Sequence, residues 1–502
     1  RELGHENTES GISFYPEWGR NRLRSMLESR PDWCISRQRV WGLPIPAFVN
    51  KNGKVLLTAA TVKTVIEKIR KNGANYWFKA EPSEILEGYD PGTDSEAPEW
   101  AKEDGALNDV PHGMDTLDVW FESGSSWHSV LEHRNSGYPA DLYLEGSDQH
   151  RGWFQLSLLP ALGATGIPPF KALLTHGFMV DAQGRKMSKS GGNALEVDDI
   201  LREHGADICR WWVSSLKYTN DIKVDWEFFK VASDEYRKVR NTIRFLLGNI
   251  YDFDPQNDIV EFKYEYRYSV DSWAMWYLSR FVSETNEAYE SFQYKRANEL
   301  IFHFCYETLS AVYLAAIKDR LYCESPESRK RRRSQTAMYH IADALIRLLA
   351  PILVHTADEA YLILRGESTD STDSVHLRGA PEAIETNIDD NWDAVMALRN
   401  RAQKALEEAK GKGGASNPLD TGIEAGVSTD MFEKIEPFEE ELADLCGVSR
   451  FTLTESDEEY VNVSDLSDEP RCERSWKRDG TVKERSDGGF LSDRDAQALG
   501  LS

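Results

Sequence analysis

The sequence predicts an α/β domain followed by an all-α domain, and three short segments indicate the α/β part. The runs 140–146 and 171–177 are apolar and end in glycine, which is typical of buried strands. The stretch 153–166 between them has the length and composition of a crossover helix. Parallel strands bind ligands beyond their carboxyl ends. The polar residues at those ends are therefore expected at the mouth of a site: Glu145, Asp148, Gln149 and His176.

The all-α part is predicted from the spacing of apolar residues, which becomes helical from about residue 206. Val239, Ile243 and Leu246, for example, recur at intervals of three and four. Pro351 should kink or end a helix. Several amphipathic helices in succession indicate a bundle. The predicted helical segments are 236–250, 271–291, 297–317, 336–364 and 392–409.

Composition limits the class of protein. With 502 residues, 40% of them apolar, the chain is long enough for about three domains. The six cysteines include no CxxC pair, so no disulfide framework is expected and a reducing cytoplasm fits. No apolar run reaches the ~18 residues of a membrane span. The net charge of −25 argues against a generally basic protein but leaves room for local basic patches.

The segment 184–193 reads GRKMSKSGGN and predicts a phosphate-binding loop. Lys186 and Lys189 can converge on one polyanion, with the hydroxyls of Ser188 and Ser190 beside them. No GxxxxGK[ST] sequence is present, so side chains rather than a backbone cradle would hold the phosphates. A KxSK sequence by itself would more simply be an exposed basic turn. The full ten residues favour the phosphate-binding interpretation.

Several further segments, in matching order and spacing, resemble the isoleucyl-tRNA synthetases of bacterial type, which are class I enzymes. They are DWCISRQRVWGLPIPAF (32–48), DTLDVWFESG (115–124), YLEGSDQHRGWF (143–154), LLTHGF (173–178) and GADICRWW (205–212). The enzymes for valine, leucine and methionine share the KMSKS loop. By family resemblance they do not combine SRQRVWG with EGSDQHRGWF. The resemblance covers nearly the whole chain and is strongest up to about residue 380.

The resemblance implies the fold. Residues 31–205 are expected to be the second half of a class I synthetase Rossmann-like catalytic domain, with an insertion at about 51–112 and the KMSKS loop at 186–190. A helical-bundle anticodon-binding domain is implied over 206–380, and a C-terminal tRNA-contacting module over 381–502. Residues 1–30 are expected to be the tail of an editing insertion. The HxGH motif of the first catalytic half is not in this sequence, so we interpret it as a C-terminal portion that is inactive by itself.

The resemblance also implies roles for residues that match the family's motifs. The family activates L-isoleucine with ATP and transfers it to tRNA(Ile), without a protein nucleophile. Lys189 and then Lys186 would meet the charge that develops on phosphate, Ser188 and Ser190 would bind ATP, and Mg²⁺ would accompany ATP. The adenylate would contact Glu145, Gly146, Asp148, Gln149 and His176, and the isoleucine side chain would contact Trp120 and Trp153.

Each of these roles has a structural alternative. Glu145 could cap the turn that follows its strand, and His176 could be a structural group. Trp120 and Trp153 could belong to the core.

Two groups of arginines are candidates for RNA contact. Arg237, Arg240 and Arg244 form a stripe at helical spacing, and a basic run at 329–333 includes Arg331 and Arg332. Solvated helix faces are the alternative for both groups. Residues 37–39 could face the RNA acceptor end or could tie the insertion to the sheet, and the sequence leaves both open.

The end of the chain departs from the family pattern. Relatives often finish with CxxC…CxxC, which binds zinc, but the four matching positions here are Cys472, Ser475, Ser492 and Asp495. Structural zinc requires four Cys or His ligands. We therefore expect no zinc, and a small, loosely built end module that keeps RNA contact through its basic residues.

The expected protein is thus an isoleucine–tRNA ligase portion, a cytoplasmic monomer with ATP, L-isoleucine and tRNA(Ile) as partners and no membrane partner. Two alternatives stay open. One is a non-catalytic tRNA-binding module derived from a class I synthetase. The other is a valine- or leucine-specific ligase, against which EGSDQHRGWF argues.

Overall fold

A computed structural model describes residues 11–181, 183–185, 187 and 196–501. The chain forms two units. The first comprises Arg1–Met179 with Tyr218–Ile222, and the second comprises Val180–Lys217 with Lys223–Ser502. The predicted Lys186, Ser188, Lys189 and Ser190 lie outside the described residues.

The first unit contains seven named strands and five α-helices within its described part. The strands are β1 (Ser13–Tyr15), β2 (Ser36–Arg37), β3 (Phe48–Val49), β4 (Val55–Leu56), β5 (Thr116–Leu117), β6 (Tyr143–Gly146) and β7 (Ala172–His176). The helices are α1 (Trp18–Glu28), α2 (Ala59–Asn72), α3 (Pro82–Ile85), α4 (Val119–Gly124) and α5 (Trp153–Thr165). Strands β8 (Met179–Val180) and β9 (Ile222–Lys223) lie where the chain passes between units.

The central sheet of the first unit is parallel, in the order β1-β7-β6. Helix α5 connects β6 to β7, which confirms the predicted crossover helix. Phe14, Leu173 and Phe154 are buried in one core cluster, because apolar residues of the strands and of α5 face each other. In β6 the buried apolar residue is Tyr143. Leu144, which belongs to the run predicted to be a buried strand, is 49% exposed, and β6 is an edge strand in the described sheet.

The predicted boundary at residue 30 is not a boundary in this sheet. Strand β1 lies within the segment expected to be an editing tail, but it pairs in parallel register with β7, Phe14 opposite Leu173. Helix α1 follows directly and buries Leu23 in the same core. Residues 13–28 are therefore part of the α/β layer.

The predicted insertion, 51–112, has a core of its own. Trp77 is fully buried and packs edge-on against Phe48, at 5.4 Å between ring centroids. Helix α2 begins at a capping box, in which Thr58 Oγ1 accepts from the Thr61 backbone N–H and the Thr61 hydroxyl accepts from the Thr58 backbone N–H. The segment is an ordered layer beside the sheet strands rather than a loose connection.

The second unit is mainly helical up to about residue 411. Its helices there are α6 (Val197–His204), α7 (Ala206–Ser214), α8 (Trp226–Asn249), α9 (Val270–Glu290), α10 (Tyr294–His303), α11 (Leu314–Cys323), α12 (Arg329–Leu349), α13 (Val354–Arg365) and α14 (Trp392–Gly411). A π-helical stretch, Phe304–Tyr313, joins α10 to α11. The predicted stop at Pro351 is confirmed, because α12 ends at Leu349 and α13 starts at Val354.

One helical stretch in the described part, Tyr294–Cys323, is long and apolar enough to cross a membrane by length and composition. Half of its most apolar window is buried inside the protein. Leu309, Tyr313 and Ile317 are completely buried there. Core helices of soluble proteins pass the same test, so this feature is weak evidence for a membrane.

The remaining part of the second unit contains a sheet that the sequence did not reveal. Strands β10 (Thr421–Val427), β11 (Arg450–Glu455) and β12 (Tyr460–Asp465) form a mixed sheet with β10 in the centre. Helices α15 (Thr429–Ile435) and α16 (Glu439–Cys446) lie between β10 and β11 in the chain. Beyond them, β13 (Lys483–Glu484), β14 (Phe490–Leu491) and α17 (Asp493–Leu499) form an ordered end module, which we had expected to be loose.

Substitution of Gly124 should test the packing of α4 on α5. A Cβ atom at Gly124 would lie 2.0 Å from the Leu156 carbonyl oxygen, so the helices must separate to admit it. We expect Gly124→Ala to lower the free energy of unfolding by about 1–3 kcal/mol. Gly163→Ala, in α5 with open space around it, should instead raise stability by about 0.5–1 kcal/mol. Denaturant unfolding measures both, and equal midpoints for the two variants would contradict the close approach.

The His112 imidazole should make the first unit sensitive to acid. Both ring nitrogens are shielded from water and lack a hydrogen bond of good geometry among the described residues. Burial lowers the pKa of His112 and outweighs a raising contribution from the Trp77 backbone. The stability that depends on the neutral ring is present above the unfolded pKa of ~6.5 and is lost as pH falls toward the folded pKa. We expect urea unfolding midpoints to fall between pH 7.5 and about 5.5.

His112→Phe should flatten that pH dependence, because Phe fills the position beside Trp77 without a titratable group. The matched control is His133→Phe, whose imidazole is exposed. An unchanged pH slope in His112→Phe would show that His112 does not limit stability in acid.

Candidate functional site

The carboxyl ends of β6 and β7 bring together the residues predicted to contact the adenylate. In the parallel register Glu145 lies opposite Thr175, and Gly146 lies opposite His176. Glu145 is exposed, and its carboxylate accepts a hydrogen bond from the Gly146 backbone N–H at 2.7 Å. This bond is the turn-capping interaction that we weighed as the alternative. Among the described residues no hydrogen bond occupies the other carboxylate oxygen, so the two interpretations of Glu145 are compatible.

Three side chains of the site pack closely around the Gly146 backbone. A Cβ atom there would lie 2.9 Å from Asp148 Oδ1 and 3.7 Å from His176 Cε1. The same atom would lie 3.6 Å from the Phe178 ring. Asp148, His176 and Phe178 therefore surround the backbone at this position, and only a hydrogen leaves the space between them open.

The His176 ring has a defined orientation. Its Nδ1 lies 2.8 Å from the Gly177 carbonyl oxygen, which in the neutral ring places the proton on Nδ1 and leaves Nε2 as an acceptor. Gly177 allows the following segment to come close, because a Cβ atom there would lie 2.2 Å from the Asn220 carbonyl oxygen. Phe178 N–H donates to Asp221 Oδ1 at 2.8 Å and holds that approach. The strand end is thus fixed on both sides of His176.

Gln149 and Trp120 form a second group beside the first. Gln149 Oε1 accepts from the Trp153 backbone N–H at 2.9 Å, at the start of α5. A Cβ atom at Gly152 would lie 2.5 Å from Gln149 Oε1 and 3.1 Å from the Trp120 ring. The Trp120 ring thus covers Gly152 while 40% of its surface stays exposed. An apolar wall with one open face is suitable for a branched aliphatic side chain.

Trp153 makes the core contacts that we weighed as its alternative. Its ring stacks on Tyr143 at 4.1 Å between centroids, with planes 8° apart, and packs against the sheet core. Its Nε1–H donates to the Ser123 carbonyl oxygen at 3.0 Å and so ties α5 to α4. Trp153 supports the wall that Trp120 forms.

Asp118 is a central residue that the sequence reasoning missed. It is almost fully buried, and its Oδ1 accepts from the Trp120 backbone N–H at 3.1 Å, which caps α4. Its Oδ2 accepts from Trp33 Nε1 at 3.0 Å and forms an ion pair with Arg37. Burial alone would raise the pKa of Asp118, but these partners lower it overall. An Asp just before a helix start was the available sequence signal.

Arg37 therefore joins the β2 segment to Asp118 at the start of α4, and both roles considered for residues 37–39 stay predictions. Its guanidinium also donates to the Cys34 carbonyl oxygen at 2.6 Å. Gln38 Nε2 donates to Asp115 Oδ1 at 3.1 Å, on the same pair of segments. The SRQ sequence thus connects the strand β2 region to the segment that carries Trp120.

His150 was also missed. It is completely buried, its Nδ1 lies 3.1 Å from the Ser147 carbonyl oxygen, and burial lowers its pKa. Gly19 of α1 packs against it, because a Cβ atom at Gly19 would lie 3.3 Å from His150 Nε2. A neutral, packed imidazole at this position anchors the turn that carries Asp148 and Gln149.

The arginines predicted to contact RNA have different surroundings. Arg237 pairs with Asp234 on α8 at 2.9 Å, whereas Arg240 and Arg244 are exposed and line a cavity of about 270 Å³ between α8 and α13. Arg331 and Arg332 do not form a basic surface, which corrects that prediction. Each is largely enclosed and bound to carboxylates within the helical part, Arg331 to Asp252 at 2.7 Å and Arg332 to Asp258 at 3.3 Å.

Metal ligation is not evident among the described residues. No group of three or more His, Cys, Asp or Glu side chains there is placed to hold a metal ion. Asp148 is exposed at the site mouth, where a carboxylate and phosphate oxygens could share a hydrated Mg²⁺.

Comparison with known families assigns both parts of the chain. Residues 3–225 match the family described as tRNA synthetases class I (I, L, M and V). Residues 271–425 match the anticodon-binding domain of tRNA ligase. The first match contains the whole strand-end site, and the second contains helices α10 to α14.

Curated relatives share both regions in one protein. The chain is 38% identical over 494 residues to an isoleucine--tRNA ligase of Caldanaerobacter subterraneus subsp. tengcongensis, covering 94% of this chain and 52% of the relative. It is 39% identical over 503 residues to that of Petrotoga mobilis, covering 97% of this chain and 53% of the relative. The chain thus spans about half the length of these relatives.

Solved structures give weaker likenesses. A ternary complex of LeuRS, tRNA and LeuAMS from Agrobacterium radiobacter K84 is 15% identical, with a TM-score of 0.49, and covers 92% of this chain and 56% of that one. Methionyl-tRNA synthetase of Mycobacterium tuberculosis with methionyl-adenylate is 16% identical, with a TM-score of 0.48, and covers 75% of this chain and 62% of that one. The family assignment rests on the sequence matches.

Asp118 variants should separate its two functions. Asp118→Ala removes the cap of α4 and leaves Trp33 and Arg37 without their shared acceptor, so we expect a loss of about 2–3 kcal/mol in the free energy of unfolding. Asp118→Asn keeps one acceptor oxygen, which can still cap the Trp120 N–H, but places an NH2 group where Trp33 and Arg37 donate. It should lose about 1–2 kcal/mol, less than Asp118→Ala, because the cap is kept and the Arg37 side chain is 36% exposed to water.

Asp115→Ala, which removes the acceptor for Gln38, is the matched control and should change stability by less than about 0.5 kcal/mol. Urea unfolding of the three variants ranks them directly. Equal losses in Asp118→Asn and Asp118→Ala would show that the contacts with Trp33 and Arg37, and not the cap, are the dominant contribution.

Proposed function

The chain belongs to the class I tRNA synthetases, and from this we propose that it is the part of an isoleucine–tRNA ligase that holds the KMSKS loop, the adenylate-binding strand ends and the anticodon-binding helices. The reaction is the ATP-dependent activation of L-isoleucine followed by its transfer to tRNA(Ile). The observation that carries the proposal is 38–39% identity, over almost the entire chain, to proteins named isoleucine--tRNA ligase.

The proposed chemistry requires positioning more than a reactive side chain. When the carboxylate of isoleucine attacks the α-phosphorus of ATP, negative charge grows on the pyrophosphate that leaves. Lys189, assisted by Lys186, would neutralise that charge, and Ser188 and Ser190 would donate hydrogen bonds to phosphate oxygens. Mg²⁺ would supply further positive charge on the triphosphate. The KMSKS loop contributes mainly in the transition state, because the charge that it meets is largest there.

The strand ends would hold the ribose and the amino acid portion of the adenylate. Glu145, at the end of β6, has a carboxylate oxygen for the substrate ammonium or a ribose hydroxyl. Asp148 and the free Nε2 acceptor of His176 surround the same opening at Gly146. Trp120 would form the apolar wall of the amino acid pocket, while Trp153 supports it from the core. Their arrangement supports an adenylate lying across the ends of β6 and β7.

The candidate residues for tRNA contact lie on α8 and not in the basic run of α12. Arg240 and Arg244 are exposed cations one helical turn apart, whereas Arg331 and Arg332 are bound to carboxylates. Two such cations can contact successive phosphates of an RNA backbone. We further infer a soluble cytoplasmic monomer as the working state.

The test of the function is amino-acid-dependent exchange of pyrophosphate into ATP by the intact gene product. Exchange with isoleucine well above that with valine or leucine supports the proposal. A preference for valine or leucine would instead indicate a valine- or leucine-specific ligase. Absence of exchange with all three, together with retained tRNA binding, would favour a non-catalytic tRNA-binding module.

Lys189→Ala in the intact gene product should slow isoleucine-dependent exchange by roughly 10²–10³-fold, because one contact to the transition-state charge is lost. The Kd for isoleucine should stay within about threefold, since the lysine faces phosphate. Lys171→Ala is the matched control. Lys171 precedes β7, is exposed and pairs with Asp141, so its loss should leave exchange unchanged. Exchange by Lys189→Ala within a few-fold of wild type would refute the assignment.

A further inference from the structure

The four positions that match zinc ligands in the family come together at one place in the end module. Cys472 and Asp495 are completely buried, and the Cys472 thiol donates to Asp495 Oδ2 at 2.8 Å. Ser492 Oγ accepts from the Asp495 backbone N–H at 3.2 Å and caps α17. The Ser475 hydroxyl is buried without a hydrogen bond of good geometry, yet it lies near enough to help lower the pKa of Asp495. The spatial pattern of a metal site is therefore kept.

The chemistry at these positions does not fit zinc. A zinc ligand must be deprotonated and must have a free lone pair directed at the metal. Here the Cys472 thiol is the donor of a hydrogen bond to the carboxylate, and two of the four positions are hydroxyls. Both oxygens of Asp495 are occupied, Oδ2 by Cys472 and Oδ1 by Arg494. The side chains at these four positions form hydrogen bonds within the protein instead of a tetrahedral set of free metal ligands.

A buried carboxylate still needs a positive partner, and Arg494 supplies it. The Arg494 Nε–H and Nη2–H donate to Asp495 Oδ1 at 3.0 and 2.8 Å. The same guanidinium forms a bidentate ion pair with Asp319, which lies on α11. Lys477, within the first turn of the module, pairs with Asp319 at 3.2 Å and with Asp444 of α16 at 2.9 Å. Arg494 and Lys477 are thus both directed to carboxylates of the helices α11 and α16.

We propose that Arg494 replaces the metal ion of the family's end module. Its guanidinium balances the buried Asp495 and, through Asp319, anchors the module to α11. A zinc ion would close the module on itself. The arginine makes the closure of the module depend on the helical part of the chain, because one of its two carboxylate partners, Asp319, lies outside the module.

The apolar core of the module is small, which makes this dependence necessary. Its buried residues are Cys472, Leu491 and Ala496, with Val482 and Leu501 packed against them. A core of this size does not hold about thirty residues without a metal, a disulfide or a docking surface. The ion pairs to Asp319 and Asp444 provide the docking surface.

The first measurement is amide hydrogen exchange across 472–501 in the full 502-residue chain. Arg494→Gln should accelerate exchange in this segment at least about tenfold, and Arg494→Lys should recover part of the protection. The matched control is Arg471→Gln, because Arg471 is an exposed arginine of the same module that stacks on Trp476. It should stay within about twofold. Equal protection in Arg494→Gln and wild type would overturn the proposal.

The second measurement separates replacement of a metal from an ordinary structural role. The triple variant Ser475→Cys, Ser492→Cys, Asp495→Cys creates four cysteines with Cys472. It should retain one equivalent of zinc after desalting, while the natural chain, exposed to the same zinc, retains less than 0.1 equivalent, roughly the background of a chain without a site. One equivalent in the natural chain, or none in the triple variant, would refute the proposal.

The two changes should also be coupled. In the zinc-loaded triple variant the cation is no longer needed, so Arg494→Gln should change exchange less than about threefold. If Arg494→Gln is as damaging there as in the natural chain, the arginine has a packing role unrelated to the metal position. These measurements use no substrate, so they do not depend on the ligase activity.

Discussion

The helical unit depends on one buried cation, Arg320 of α11. Only 1% of its side chain is exposed, and its guanidinium pairs with Glu441 at 2.7 Å, with Asp444 at 2.9 Å and with Asp271 at 3.4 Å. Burial by itself would lower the pKa of Arg320, but the three carboxylates raise it well above its usual value. Removal of one partner from such a cluster typically costs 3–5 kcal/mol, because a charge is left buried without compensation. The positions of α9, α11 and α16 are therefore fixed together.

In this chain, whose net charge is −25, several arginines pair with buried carboxylates in and near this cluster. The basic run of α12 contributes to the same network, since Arg333 pairs with Asp271 at 2.9 Å. Arg331 similarly satisfies Asp252. These arginines hold helices together and are not free to contact RNA. The exposed cations of α8 are then the better candidates, and a small number of phosphate contacts is compatible with an acidic protein when the cations are local.

The sequence predicted the helices well because their apolar period is strong and Pro351 marks a clear break. It also predicted the strand ends, since glycine after a short apolar run has a definite physical cause. The prediction of strand burial failed where burial depends on the neighbouring strands and helices. Leu144 alternates correctly but lies on an edge strand, and β10 is buried along nearly its whole length, so it shows no alternation. Asp118 was missed because its partners, Trp33 and Arg37, are about eighty residues away in sequence.

The carboxylates around Gly146 and the carboxylate of Asp495 in the end module differ in how many of their oxygens already accept hydrogen bonds. Around Gly146, the exposed Glu145 and Asp148 have local partners that leave acceptor oxygens open. At the end module, both oxygens of Asp495 are occupied from within the protein. An open acceptor set at a strand end can bind a ligand, whereas a closed set can only contribute to stability. Asp148 and Asp495 thus differ in how many acceptor oxygens are left open among the described residues, which makes Asp148 a candidate for ligand contact and Asp495 a structural group.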